Sequence, residues 1–532
     1  MAQLPQRPDI EHLKKQAKEL LREAQTGRPD ALARMRASLP AAKGKDDHAI
    51  LAMGLRLHDA QSCLAREHEF PSWTALSNYV EKRNHRLFDS PTTGIPAWLN
   101  IVYGHEHERA EPLLAARLLK EHPVFGKGDL LLACASGDVA ALRRSVVANP
   151  QLVNRVSKTY RCPCCERPHA MPPLVAVTHS SLLQLPEYRD GLHACARLLL
   201  EAGADANQTM PSEHGPLSAL YGAAGKNHDV DVTRMLLAAG ANPNDGESLY
   251  HSVESNDPAC TALLLEAGAT VDGSNALHHA LDYDRLDDFR RLLARTVDAN
   301  DPRSPLGSPL LWAIRRRRSL GHVQALLDAG ADPNVRDRSS TSAFVLASTY
   351  GLSEVADALR AVGAEGALST TERFLSACTR PNADVARQIL QAQPRVIEEL
   401  TTTQLAMLPE MAATGNIPAV HVMVELGWPI AARGGDWSAS ALNIAVFNGN
   451  STLTRYLLEH GASWTEEHGF GGNVHGTLAF ASRNHDATEG DWAGCARALI
   501  EHGLPIQESS GDYSDEVLEV LDAERARLEE QR

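Results

Sequence analysis

The stretch 323-VQALLDAGADPNVRD-337 places Val323, Leu326 and Leu327 on one helical face, ends the helix at Gly330 and follows it with a polar turn. The same phrase returns as 194-ACARLLLEAGADANQ-208, 234-RMLLAAGANPND-245, 259-ACTALLLEAGATVD-272 and 454-TRYLLEHGASWTEE-467. Its closing glycines are Gly203, Gly240, Gly268, Gly330, Gly363, Gly427, Gly461 and Gly503. They are separated by 37, 28, 62, 33, 64, 34 and 42 residues, and counting the two long gaps as double gives nine periods of about 33 residues. Only glycine adopts positive φ without steric cost, so each is expected to stop its helix in the left-handed conformation.

A second phrase alternates with the first: 275-NALHHA-280, 308-SPLLWAI-314, 341-TSAFVLA-347, 440-SALNIAV-446 and 476-GTLAFAS-482. The two halves resemble T-P-L-H-x-A-A and V-x-x-L-L-x-x-G-A-D-x-N, the signature of the ankyrin repeat, over most of residues 125–506. Small residues such as Ala280, Ala313, Ala347 and Ala445 let the first helix lie against its antiparallel partner. The leucine pairs Leu199/Leu200, Leu236/Leu237, Leu264/Leu265, Leu326/Leu327 and Leu457/Leu458 then face the next copy. One such unit cannot bury its apolar face, so copies must stack and share a core. The expected fold is an all-α ankyrin-repeat solenoid, elongated and curved, whose helix–turn–helix copies are joined by hairpin-like loops.

Degenerate copies fill the gaps. The segment 294–301 has lost its glycine, 383–399 ends in a proline, and 127–154 closes with Asn149-Pro150. About eleven copies are expected across 125–506. Before them, residues 1–88 form a separate helical module: Ile10, Leu13, Ala17, Leu20, Leu21 and Ala24 share a helix face. A break at Phe70-Pro71-Ser72 precedes a second helix capped by Ser72, with Phe70, Trp73, Leu76 and Val80 as its core. This segment resembles the small helical module that precedes ankyrin arrays in some bacterial proteins. Residues 89–124 read as a linker, 89-DSPTTGIP-96, followed by a partial repeat, and 507–532 as a charged capping helix with a stripe of Val517, Leu518, Leu521 and Leu528.

Composition narrows the function. With 52 basic and 67 acidic side chains the net charge is −15, which opposes nonspecific attraction to nucleic acid or anionic membranes. No apolar run approaches the roughly 20 residues that cross a bilayer, and the start carries no apolar signal segment, so a cytoplasmic protein is expected. The nine cysteines read as free thiols in a reducing compartment. Cys195, Cys260 and Cys495 each lie eight residues before a repeat glycine, and Cys134 and Cys378 hold small-residue positions in first helices, so all five read as apolar fillers.

Enzyme motifs are sparse. The sequence 105-HEHE-108 lacks H-E-x-x-H spacing, 469-GFGGNVHG-476 lacks the Lys-Ser/Thr of a phosphate cradle, and no G-x-S-x-G occurs. The chain is therefore read as non-catalytic. One competing reading attaches to 161-RCPCCERPH-169, where Cys162, Cys164, Cys165 and His169 combine thiolates and imidazole suited to Zn²⁺, with His179 as a further donor. That loop would make the protein a zinc-binding sensor or a metal-dependent enzyme; otherwise no cofactor is expected. A bacterial effector acting on host proteins is a third reading.

The resemblance to ankyrin arrays implies a scaffold that grips a protein partner along a concave face. Aromatic and arginine side chains dominate binding hot spots, which nominates Trp312, Arg315, Arg316, Trp437, Trp464, Phe470 and Phe480 as contacts. The run Arg315 to Arg318 also reads as a solvated helix end favoured by the helix dipole. Neither the partner nor the oligomeric state is fixed by sequence.

Overall fold

All eight repeat glycines adopt the left-handed conformation, with φ between +87° and +97°. A Cβ built on any of them meets no atom within 4 Å, so backbone conformation, not crowding, requires glycine there. Each lets the next residue's amide reach back to the helix, as Ala331 N does to Leu326 O at 2.9 Å and Ala241 N to Leu236 O at 3.0 Å.

The computed structural model describes residues 4–5, 8–84, 88, 90–104, 110–156, 159–161, 168–212, 215–300, 307–380, 383–484, 490–506 and 513–530. Antiparallel helix pairs dominate it, as an ankyrin-repeat solenoid requires. Strand is confined among the described residues to three two-residue antiparallel pairs, Tyr160–Arg161 with Pro168–His169, Thr209–Met210 with Leu217–Ser218, and Arg433–Gly434 with Ala439–Ser440, plus two isolated bridges. All occur in the loops that join one helix pair to the next. The chain divides into two units, Met1–Pro309 and Leu310–Arg532.

Packing follows the repeat phrase. Ala280, Ala313, Ala347 and Ala445 are buried, as are Leu199, Leu236, Leu264, Leu326 and Leu457. The second leucine of the pair is half-buried at Leu200, Leu237 and Leu327, because it lies nearer the helix edge. Each buried leucine is worth roughly 1.5–3 kcal/mol relative to exposure. The asparagine of the turn has a separate task. Asn207 Nδ2 donates to Gly240 O at 3.2 Å, and its Oδ1 accepts from Asn242 N at 2.8 Å. Asn154, Asn244 and Asn334 make the same double bridge to Gly203, Gly268 and Gly363 and to the amide two residues on. In these four places one copy thus satisfies the exposed helix end of the copy after it.

In the first unit, helices Ile10–Gln25, Pro29–Ser38 and Leu57–Glu67 enclose a core of Leu20, Ala24, Leu32, Met35, Ile50 and Cys63. Ser72 Oγ accepts from Ala75 N at 3.2 Å and caps the helix Trp73–Asn84, as the sequence predicts. Phe70, Leu76 and Val80 are buried there, but Trp73 is half-buried and Tyr79 takes the interior place.

The linker reading of 89–96 is corrected. Residues Pro91–Tyr103 form a helix with Ser90 at its N-cap and Pro91 at its first position. Trp98 Nε1 donates to Ala115 O at 3.0 Å, tying it to the helix Pro112–Glu121, and Tyr103 Oη donates to Ala176 O at 3.0 Å. The Pro-Thr-Thr-Gly-Ile-Pro composition imitates a turn, yet the apolar run that follows is buried on nearly all sides and holds the helix despite Pro96.

In the second unit, helix Asp515–Glu530 lies on helix Trp492–Glu501, with Val517 and Leu521 buried and Leu528 exposed. The six described cysteines, Cys63, Cys134, Cys195, Cys260, Cys378 and Cys495, are buried free thiols.

Candidate functional site

The arginine run after the helix Pro309–Arg315 is consumed within the chain. Arg315 Nη2 donates to Asp337 Oδ2 at 2.8 Å, and Arg316 Nη1 donates to Asp436 Oδ2 at 3.0 Å. Arg317, held at φ +52°, donates to Tyr350 O. The Arg316 guanidinium also lies 4.4 Å over the Trp312 ring. A solvated helix end does not describe this run, because tertiary packing brings carboxylates and a carbonyl within reach of three of its members. Beneath it, Tyr350 Oη donates to Glu410 Oε2, and burial pushes the Glu410 carboxyl up against the pull of that bond and of Arg315.

Asp436 leads directly into an aromatic ladder. The Trp437 ring lies 5.5 Å from Phe447 and 5.2 Å from His468. His468 contacts Phe470 at 6.1 Å, and Phe447 stacks on Phe480 at 6.5 Å and 12°. These separations fall in the range of attractive aromatic pairs. Phe470 is 82% and Phe480 58% exposed, so the ladder ends in open solvent. The structure therefore connects Trp312 and Arg316, through Asp436 and the adjacent Trp437, to Phe470 and Phe480, with Arg315 one residue away. Trp464 stays apart: it is half-buried in the turn after Gly461 and makes no ring contact among the described residues. Phe447 and His468, absent from the sequence reading, complete the ladder; their signal was the nearness of His468 to Phe470 and the 33-residue spacing of Phe447 and Phe480.

Of the proposed zinc loop, Cys162, Cys164 and Cys165 lie outside the described residues. His169 is buried, and its Nε2 is hydrogen-bonded to Asn100 Oδ1 of helix Pro91–Tyr103, so that nitrogen is already engaged. His179 is buried elsewhere, with Nδ1 3.1 Å from Val175 O and its basicity lowered to about 3 by desolvation. His278, the histidine of the T-P-L-H-like phrase 275-NALHHA-280, has Nε2 2.9 Å from Gly307 O and so ties its helix to the neighbouring turn.

A second cluster, unread in the sequence, lies in the first unit. His251 belongs to helix Ser248–Ser252, Glu254 to the turn after it, and His279 to the first helix of the next copy, Ala276–Asp282. His251 Nδ1 is 2.6 Å and His279 Nε2 3.1 Å from Glu254 Oε1. The remaining ring nitrogens also face carboxylates, His251 Nε2 at 3.3 Å from Glu247 Oε2 and His279 Nδ1 at 3.5 Å from Asp282 Oδ2. Tyr250 stacks on His279 at 3.9 Å and 9° and fixes its plane. Burial disfavours charge on His279, but Asp282 and Glu254 outweigh it and raise the imidazole to about 9. Burial likewise opposes ionisation of Glu254, yet the two histidines bring it down to about 2. A signal existed: His251 and His279 each stand four residues past the N-cap position of their helix, so stacking had to place them side by side.

Over residues 220–303 and 249–337 the chain matches a family model described as ankyrin repeats in three copies, in agreement with the helix pairs seen there. Among solved structures, the human ASB11 ankyrin repeat domain is similar, at 23% identity over 46% of this chain and 100% of that one, with a TM-score of 0.33. No curated protein matches the chain. No helix among the described residues is long and apolar enough to cross a membrane.

Proposed function

We propose that this protein is a non-catalytic, cytoplasmic scaffold that holds a protein partner on the surface formed by Trp312, Trp437, Phe470 and Phe480. The observation that carries the reading is the ladder from Trp437 to Phe470 and Phe480, whose outer rings are 82% and 58% exposed. Rings so exposed gain roughly 25 cal/mol per Å² when a partner covers them, and their two χ angles limit the entropy lost on binding. Arg315 and Arg316, neutralised by Asp337 and Asp436, act in this reading as supports that orient Trp312. Trp464 contributes at the margin. The partner presents apolar side chains to this surface; nucleic acid is disfavoured by the net charge of −15. The helices of residues 1–88 stand in this reading as a module separate from the array of 125–506.

Photo-crosslinking in the native cell tests this. A benzoylphenylalanine placed at Phe470 or Phe480 should trap one protein partner, whereas one at exposed Arg234 should not. Equal crosslinking from all three positions, or partner capture unaffected by a Phe470→Ala/Phe480→Ala double variant, would reject the surface.

A further inference from the structure

We propose that His251, Glu254 and His279 form a binding site for a divalent transition-metal ion of the zinc class, which clips two successive repeats together. The inference is independent of the partner surface, which lies in the other unit.

Ligand type and geometry carry the argument. Two imidazoles and one carboxylate are the donors that zinc accepts, and the three donor atoms lie within 4.8 Å of one another. Bonds of about 2.0–2.1 Å to a tetrahedral ion put neighbouring donors about 3.3 Å apart. The His279–Glu254 spacing of 3.1 Å is close to this, and the His251–Glu254 spacing of 2.6 Å needs to open by about 0.7 Å. A carboxylate in the turn after the helix can supply that by side-chain rotation.

The surroundings are those of a ligand set. Metal-binding histidines direct their far nitrogen at a carboxylate or carbonyl, which fixes the tautomer. Here Glu247 stands behind His251 and Asp282 behind His279. The His279 Nδ1 is buried and stands 3.5 Å from Asp282 Oδ2, a long contact that a metal-oriented ring would shorten.

The charge balance favours a dication. The cluster is faced by the carboxylates of Glu247, Glu254 and Asp282 and by the phenols of Tyr221, Tyr250 and Tyr283. Against them stand the guanidinium of Arg285, which donates to Val253 O and Glu254 O, and His228, which burial keeps below its ordinary basicity. Ligation needs both imidazoles neutral, so binding is coupled to release of any proton they hold.

The experiment titrates Zn²⁺ and Co²⁺ into the full chain, with a chromophoric chelator as competitor. One equivalent of cobalt should bind with ligand-field bands of a nitrogen and oxygen donor set. His251→Gln and His279→Gln should each lose that equivalent, whether or not the thiols of Cys162, Cys164 and Cys165 hold a second ion, which thiolate charge-transfer bands would mark. Glu247→Gln should keep the equivalent but weaken it about tenfold by releasing the His251 ring. Should a histidine variant not fold by circular dichroism, Glu254→Gln removes a ligand while preserving shape and must show the same loss. Unchanged stoichiometry and affinity in the folded variants would overturn the proposal.

Discussion

Arg316 donates to Asp436 Oδ2 at 3.0 Å across 120 residues of sequence, and so ties the turn after one first helix to the hairpin that leads into the Trp437 ladder. The Asp436 side chain is 69% exposed, so this pair works in high dielectric and contributes little to stability. A double-mutant cycle with Arg316→Gln and Asp436→Asn should give a coupling of about 0.5 kcal/mol that fades in molar salt. A coupling of several kcal/mol would mean a buried pair and contradict the geometry.

Gly330 has φ +87° with open space where a Cβ would stand. Gly330→Ala should cost about 1–2 kcal/mol, the penalty of a left-handed non-glycine residue, with no cavity or clash term. Urea unfolding should show a lowered midpoint at an unchanged m-value.

Asn244 donates to Gly268 O at 3.4 Å and accepts from Thr270 N at 2.7 Å, so it serves the copy that follows its own. Asn244→Ala removes both links and should cost about 1–2 kcal/mol. Asn242, whose Nδ2 reaches only its neighbour Asn244 O at 3.4 Å, should cost clearly less when replaced by alanine. The comparison isolates the bridge between copies from turn propensity.

His279 titrates near 9 in the folded chain against an ordinary 6.5, so the fold binds the proton more tightly than the unfolded chain does. Its stabilisation is complete below about pH 6.5 and is lost as pH rises through about 9. The stability gap between the wild type and His279→Gln, measured without metal, should therefore be largest near pH 6 and close by about pH 10. Metal affinity should run the other way, rising up to about tenfold per pH unit between 7 and 9 as the competing proton leaves.

Burial pushes the thiols of Cys195, Cys378 and Cys495 up to about 12 and that of Cys260 up to about 11. In a Cys162→Ser/Cys164→Ser/Cys165→Ser background, native protein should show no rapidly alkylated cysteine, and denaturant should expose all six that remain. Rapid reaction of any of the six in the native state would contradict the packing.

Much of the fold was legible because its rules are local. A helix with small residues, a helix with a leucine pair, and a glycine that alone tolerates φ near +90° can each be recognised within a dozen positions. The burial of Cys195, Cys260 and Cys495 followed from the same spacing, and the Ser72 cap from the break at Phe70-Pro71-Ser72. Where local signals conflicted the reading failed, as at 89–96, since turn-forming residues also start helices and only the partner helix Pro112–Glu121 decides between them.

The sequence by itself determined the repeat and which residues of each copy face inward, because every copy solves the same packing problem with the same residue types. Only tertiary structure decided that the arginines meet Asp337 and Asp436, that Trp437 leads to Phe470 and Phe480, and that His251, Glu254 and His279 converge. Those contacts join different copies, and their distances depend on how each helix pair sits on the next, a sum of many small packing choices that no single stretch of chain encodes.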